Sequence, residues 1–95
     1  MIGVIATIKV KPGMGPQFEA VARQLVAKVN ANEPGCKLYA LYRGEQPDSY
    51  VFLERYVDEE AMTAHRRAEH FRTLGAQMGP FMDGRAEVRR LAEVA

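Results

Sequence analysis

The chain has two histidines, His65 and His70, and both fall in the stretch AHRRAEHFRTLG at positions 64–75. Imidazole titrates near neutral pH, so such a pair suits proton transfer, ligand binding or metal ligation. On one continuous helix a five-residue step turns a side chain by about 140°, whereas ligands that share a face are three or four residues apart. Neither a third histidine nor a second cysteine is present to complete a zinc tetrahedron, so no metal site is expected. A helix break near Ala68-Glu69 would bring both imidazoles toward one pocket mouth, as proton handlers or ligand contacts.

A carboxylate is the second chemical feature. In YVFLERYV (50–57), strand alternation places Phe52, Glu54 and Tyr56 on one face. A carboxylate between two aromatic rings must be paired or hold its proton more tightly than usual. The expectation is a Glu54–His65 pair that fixes the imidazole tautomer and makes His65 a general base. The alternative is that Glu54 pairs with an arginine or sits at a subunit interface. Phe71, Phe81, Met62, Met78 and Met82 make a soft apolar wall, suited either to core packing or to a flat aromatic ligand. Tyr39 and Tyr42 lie on opposite faces of their strand, so at most one of them reaches that cavity.

The elements that must position these groups follow from periodicity. Ile2, Val4, Ala6, Ile8 and Val10 alternate within Met1–Val10, a strand stopped by KPGMGP (11–16). Phe18, Val21, Ala22, Leu25, Val26 and Val29 then recur at helical steps, with Pro16 in the first turn and Pro34-Gly35 beyond the end. Cys36–Arg43 and Tyr50–Val57 read as a hairpin closed by GEQPDS (44–49). Asp58 is placed to cap the next helix, with Glu59 and Glu60 where the helix dipole favours acids. That helix breaks in two and runs to Gly79-Pro80, and Arg85–Val94 alternates as a last strand. The order βαββαβ is that of the ferredoxin-like α+β fold, an antiparallel sheet with helices on one face. The other face carries few charges, and a second copy packed sheet against sheet would cover it.

Composition limits the function classes. Ninety-five residues suffice for one domain, 1–95, and the apolar share of 47% is ordinary for a globular protein. Thirteen basic and twelve acidic residues leave a net charge of +1, without the basic footprint of nucleic-acid binding. No stretch reaches the ~20 apolar residues of a membrane span, and MIGVIATI is too short for a signal-peptide core. The single Cys36 excludes an internal disulfide, and a cytoplasmic location is expected. KPGMGP has neither phosphate-loop nor dinucleotide spacing, so no nucleotide cofactor is expected.

Several segments, in order, resemble the antibiotic biosynthesis monooxygenase family. They are Ile2–Gly13 (I-x-V-x-A-x-I-x-V-K-P-G), NEPGCKLYALYR (32–43), YVFLERYVDEEAMTAH (50–65) and His70-Phe71. The small quinol-monooxygenase-like members are the most similar branch. The resemblance implies a homodimeric α+β barrel with an apolar pocket between sheet and helices in each subunit. It also implies pocket roles for both histidines. Known members include cofactor-free oxygenases of polycyclic phenols or quinols, haem-degrading enzymes and an isomerase of a quorum-sensing signal. Where the haem-degrading pattern has Asn, Trp and His, this chain reads Ala6, His65 and Gly75, and it has no tryptophan, so that branch is disfavoured.

The expectation is therefore a cofactor-independent monooxygenase acting on a small aromatic substrate with dioxygen. His65 and Glu54 would be catalytic, and His70, Phe71, Tyr56, Phe52, Tyr39, Met78 and Phe81 would bind substrate. An isomerase using the same histidines, or a module that binds aromatic compounds without turnover, are the alternatives. A shared fold does not choose among these.

Overall fold

A computed structural model describes Met1–Ala95. Its elements are β1 (Ile2–Lys9), α1 (Gly15–Asn32), β2 (Cys36–Arg43), β3 (Ser49–Tyr56), α2 (Glu59–Arg67), α3 (Glu69–Met78) and β4 (Glu87–Ala92), with a 3-10 turn at Gly79–Phe81. The four strands form one antiparallel sheet in the order β2-β3-β1-β4. This is the expected ferredoxin-like α+β arrangement. The last strand is shorter than its alternation suggested, and all six of its residues are exposed.

The inner sheet face is built by the residues that alternation selects. Val4, Ala6 and Ile8 of β1, Phe52 and Tyr56 of β3 and Tyr39 of β2 are all buried. Helix α1 lays Phe18, Ala22, Leu25 and Val29 against them, a stripe at three- and four-residue steps. Burial of that stripe, rather than a cap, holds α1 in place, because Met14 at its start makes no side-chain capping bond.

Two local signals set the orientation of α2. The Asp58 side chain accepts a 2.9 Å hydrogen bond from the Ala61 amide, which satisfies one of the helix's orphan donors. Gly35 lies so close to the helix that an added Cβ would sit 2.6 Å from the Ala61 Cβ. After Arg67 the chain leaves helical geometry at Ala68, which is extended at φ −62°, ψ 139°. This is the break expected from the histidine segment, and it lets α3 start in a new direction.

Candidate active site

A cavity of about 260 Å³ lies between the inner sheet face and helices α2 and α3. Val4, Ala6 and Ile8 of β1 floor it, and Tyr39, Phe52, Glu54 and Tyr56 rise from the neighbouring strands. Met62, His65 and Arg66 of α2 and Phe71, Gly75 and Met78 of α3 close it from above. A wider, open groove of about 640 Å³ runs between α1 and β2. Its carboxylate, Glu19, is taken up by Arg43 at 2.9 Å and the Tyr50 hydroxyl at 2.6 Å, which hold it down at a pKa of about 2. A carboxylate so fully engaged is a structural ion pair and a poor proton acceptor. The smaller cavity is where proton-transfer groups meet an apolar wall.

His65 is 3% exposed, packed among the rings of Phe71, Tyr39 and Tyr56 with centroids 4.6, 5.0 and 5.6 Å away. Its Nδ1 lies 3.0 and 3.1 Å from the two carboxylate oxygens of Glu33. A carboxylate only accepts, so Nδ1 carries the proton and Nε2 is left with the lone pair. Burial lowers the pKa of His65, and although Glu33 pulls the other way, burial prevails. The resting group is thus a neutral imidazole. Its Nε2 has no hydrogen-bond partner in the protein, yet no fully buried polar side-chain atom lacks one, so Nε2 is open to the cavity.

Glu33, the C-cap of α1, also accepts from His70 Nε2 at 2.5 Å. One carboxylate thereby ties the end of α1 to both α2 and α3. No set of three or more His, Cys, Asp or Glu side chains is arranged to hold a metal ion.

The expected Glu54–His65 pair is not formed. Glu54 instead accepts a 2.5 Å hydrogen bond from the Tyr56 hydroxyl, two residues along the same strand face. The two groups share the cavity without touching, because the imidazole proton is drawn toward the C-terminus of α1. Burial pushes Glu54 up to about 7, against the pull of the Tyr56 hydrogen bond and of the Arg66 charge. Near neutral pH it is therefore poised between acid and base.

Five of the seven residues expected to contact substrate lie in the cavity wall: Phe71, Tyr56, Phe52, Tyr39 and Met78. His70 does not. Its ring reaches back to Glu33 and borders a surface groove with Gln24, Lys28 and Thr73. Phe81 is half-buried against the main core and absent from the wall, because the 3-10 turn carries it past the end of α3. Tyr39 is buried and its hydroxyl has no protein partner, whereas Tyr42 is exposed on the opposite face. Cys36 is no nucleophile: burial pushes its thiol up to about 11, and Sγ donates to the Leu38 carbonyl.

Sequence reasoning missed Glu33. Glu33 sits in the turn NEPG, where no periodicity points inward. The available signal was an acid at a helix C-terminus, the end where the dipole disfavours negative charge unless a partner is present.

The protein-family model described as "Antibiotic biosynthesis monooxygenase" matches residues 1–77. The curated protein named "Putative monooxygenase YcnE" from Bacillus subtilis (strain 168) is 32% identical over 77 residues, 81% of each chain. A crystal structure described as a putative antibiotic biosynthesis monooxygenase from Caulobacter crescentus CB15 superposes with a TM-score of 0.95 at 42% identity, covering 99% of this chain and 90% of that one. Rv0793 from Mycobacterium tuberculosis superposes with a TM-score of 0.90 at 26% identity, over 99% and 95% of the two chains. On the family match and these relatives, this chain belongs to the antibiotic biosynthesis monooxygenase family.

Proposed function

We propose that the protein is a cofactor-independent monooxygenase of a small quinol- or polyphenol-type aromatic compound. The observation that carries this reading is the neutral His65, held by Glu33 through Nδ1 and offering Nε2 to an apolar cavity. A bound quinol hydroxyl donates its proton to Nε2, and the imidazolium that forms is stabilised by the Glu33 carboxylate. The electron-rich anion then reduces dioxygen, and a carbon–oxygen bond forms at the ring. One oxygen stays on the ring and the other leaves as water. A quinol plus dioxygen thus gives a hydroxyquinone plus water, with all four electrons supplied by the substrate. Glu54, holding a proton near neutral pH, protonates the departing oxygen. The aromatic walls exclude water, which strengthens each of these interactions.

Oxygen uptake by the purified protein tests the reading, using reduced quinols and polyphenols with metals chelated and autoxidation subtracted. The expected result is uptake that survives chelation and falls by about 10²–10⁴-fold in His65→Ala, the usual range for a lost general base. Uptake no faster than autoxidation across the panel would sink the oxygenase. The two proton-handling groups on one cavity, His65 and Glu54, favour a proton-transfer isomerase as the second reading. Turnover of substrate without oxygen consumption would establish it.

A further inference from the structure

Arg66 is the only cationic side chain in the wall of the His65 cavity, and it forms neither a hydrogen bond nor an ion pair with the protein. It is exposed overall yet reaches the wall from the last turn of α2, which places it at the mouth. Glu54 is the only carboxylate there, and it accepts from the Tyr56 hydroxyl, so no carboxylate is hydrogen-bonded to Arg66. Burial favours the protonated form of Glu54, so near neutral pH its charge offsets that of Arg66 only in part. The other unengaged polar group is the Tyr39 hydroxyl, on a side chain more than nine-tenths buried. Its oxygen is not fully buried, and burial of the ring drives its pKa up, so it stays an O–H donor that is free to meet a ligand oxygen in the cavity. Guanidinium and hydroxyl together give the cavity two donors without a protein partner, beside the acceptor at His65 Nε2 and the carboxyl of Glu54.

We propose that the substrate is an aromatic anion: one or two fused rings bearing an ionised carboxylate or equivalent oxyanion that Arg66 meets at the cavity mouth, with Tyr39 donating to a second oxygen. This rests on the reading of the cavity as the substrate site and narrows its class. The size follows from the volume. At about 260 Å³ the cavity lies just under the ~300–1,000 Å³ of sites for drug-sized ligands, which limits the ring system to one or two members. The charge follows from planarity and reach, because a guanidinium fork matches a carboxylate in two parallel hydrogen bonds. The hydroxyl that faces His65 Nε2 must then lie away from the anionic end, toward the buried side of the cavity.

Equilibrium binding tests this without turnover. The probes are 6-hydroxy-2-naphthoate and its neutral primary amide, matched in shape, titrated by ligand fluorescence and calorimetry. Wild-type protein is expected to bind the carboxylate about tenfold more tightly than the amide, the ratio that about 1.4 kcal/mol gives. Arg66→Gln should erase the preference by weakening the carboxylate alone, and Arg66→Lys should keep part of it. Arg67→Gln, one residue along and outside the cavity, should leave it intact. Equal affinities, an equal loss for both probes in Arg66→Gln, an equal effect of Arg67→Gln, or no binding of either probe would each overturn the proposal. Thermal melts confirm that the variants fold, since Arg66 holds nothing together. An anion preference that survives in a protein consuming no oxygen would refute the oxygenase and spare this inference. Oxygen consumption without the preference would do the reverse.

Discussion

At the scale of single residues, the site depends on one carboxyl, that of Glu54, holding its proton more tightly than usual. Its carboxyl is raised from the ordinary 4.5 to about 7 by burial, so the fold favours the protonated form. A raised pKa contributes stability that is complete below about 4.5 and is lost as the pH climbs through about 7. A shift of that size is worth at most about 3 kcal/mol. Urea unfolding at pH 5 and pH 8 should therefore show Glu54→Gln gaining on the wild type by about 1–3 kcal/mol at the higher pH. Parallel stability curves for the two proteins would mean that Glu54 titrates normally. The aromatic company of Glu54 was legible in the sequence, because strand alternation fixes which neighbours share a face. Its hydrogen-bond partner was not. The choice between His65 and Tyr56 is made by where α2 docks, and local periodicity carries no such information. Glu33 escaped for the same reason: a turn residue acquires its partners only when three helices converge on it.

At the scale of elements, the position of His65 is set by the seam between the start of β2 and the first turns of α2. Both ends of that seam could be read in advance, Asp58 as the cap and Pro34-Gly35 as the turn, since each needs a particular residue type for local reasons. The break at Ala68 was legible too, from histidine spacing that one helix could not use. What the sequence did not disclose is how tightly the seam is closed. A methyl group on Gly35 would sit 2.6 Å from the Ala61 Cβ and 3.5 Å from a Val57 methyl. The helix Cβ cannot rotate away, so α2 must move. Gly35→Ala is expected to cost about 1–3 kcal/mol, the usual range for overpacking, and to displace His65 from its place in the cavity. The companion change Ala61→Gly removes the opposing methyl. The double variant should recover ligand binding while retaining a smaller deficit, because glycine inside a helix costs about 1 kcal/mol. Calorimetric melts of the two variants check this. A double variant no better than Gly35→Ala would show that the seam is not what positions α2.

At the scale of the whole molecule, the surface is too large for the mass. A compact monomer of 10.6 kDa exposes about 5,500 Å², whereas this chain exposes 6158 Å². The excess of roughly 700 Å² approaches the ~800 Å² that each partner buries in an interface of standard size. Its location follows from the slab-like shape, 37 × 27 × 18 Å, which has helices on one side of the sheet only. The bare side presents Leu38, Tyr42 and Leu91 exposed, around a half-buried centre where Leu53 faces Ile5 on one neighbour and Ala40 on the other. The sequence pointed to this face through its scarcity of charge, with Ile5, Val51 and Leu53 among the residues that alternation turns away from the core. We propose that a second copy covers it, sheet against sheet. Light scattering on the eluting protein should then give twice the chain mass. Leu53→Glu would place two carboxylates at the centre of the interface and should yield a monomer with a lowered melting temperature. Gln24→Glu, exposed on α1, should remain dimeric. A wild-type protein that elutes at the monomer mass would remove the dimer. A Leu53→Glu variant that stays dimeric would move the interface elsewhere, to the unpaired edge of β4 or of β2, whose strand hydrogen-bonding groups have no neighbour in the sheet.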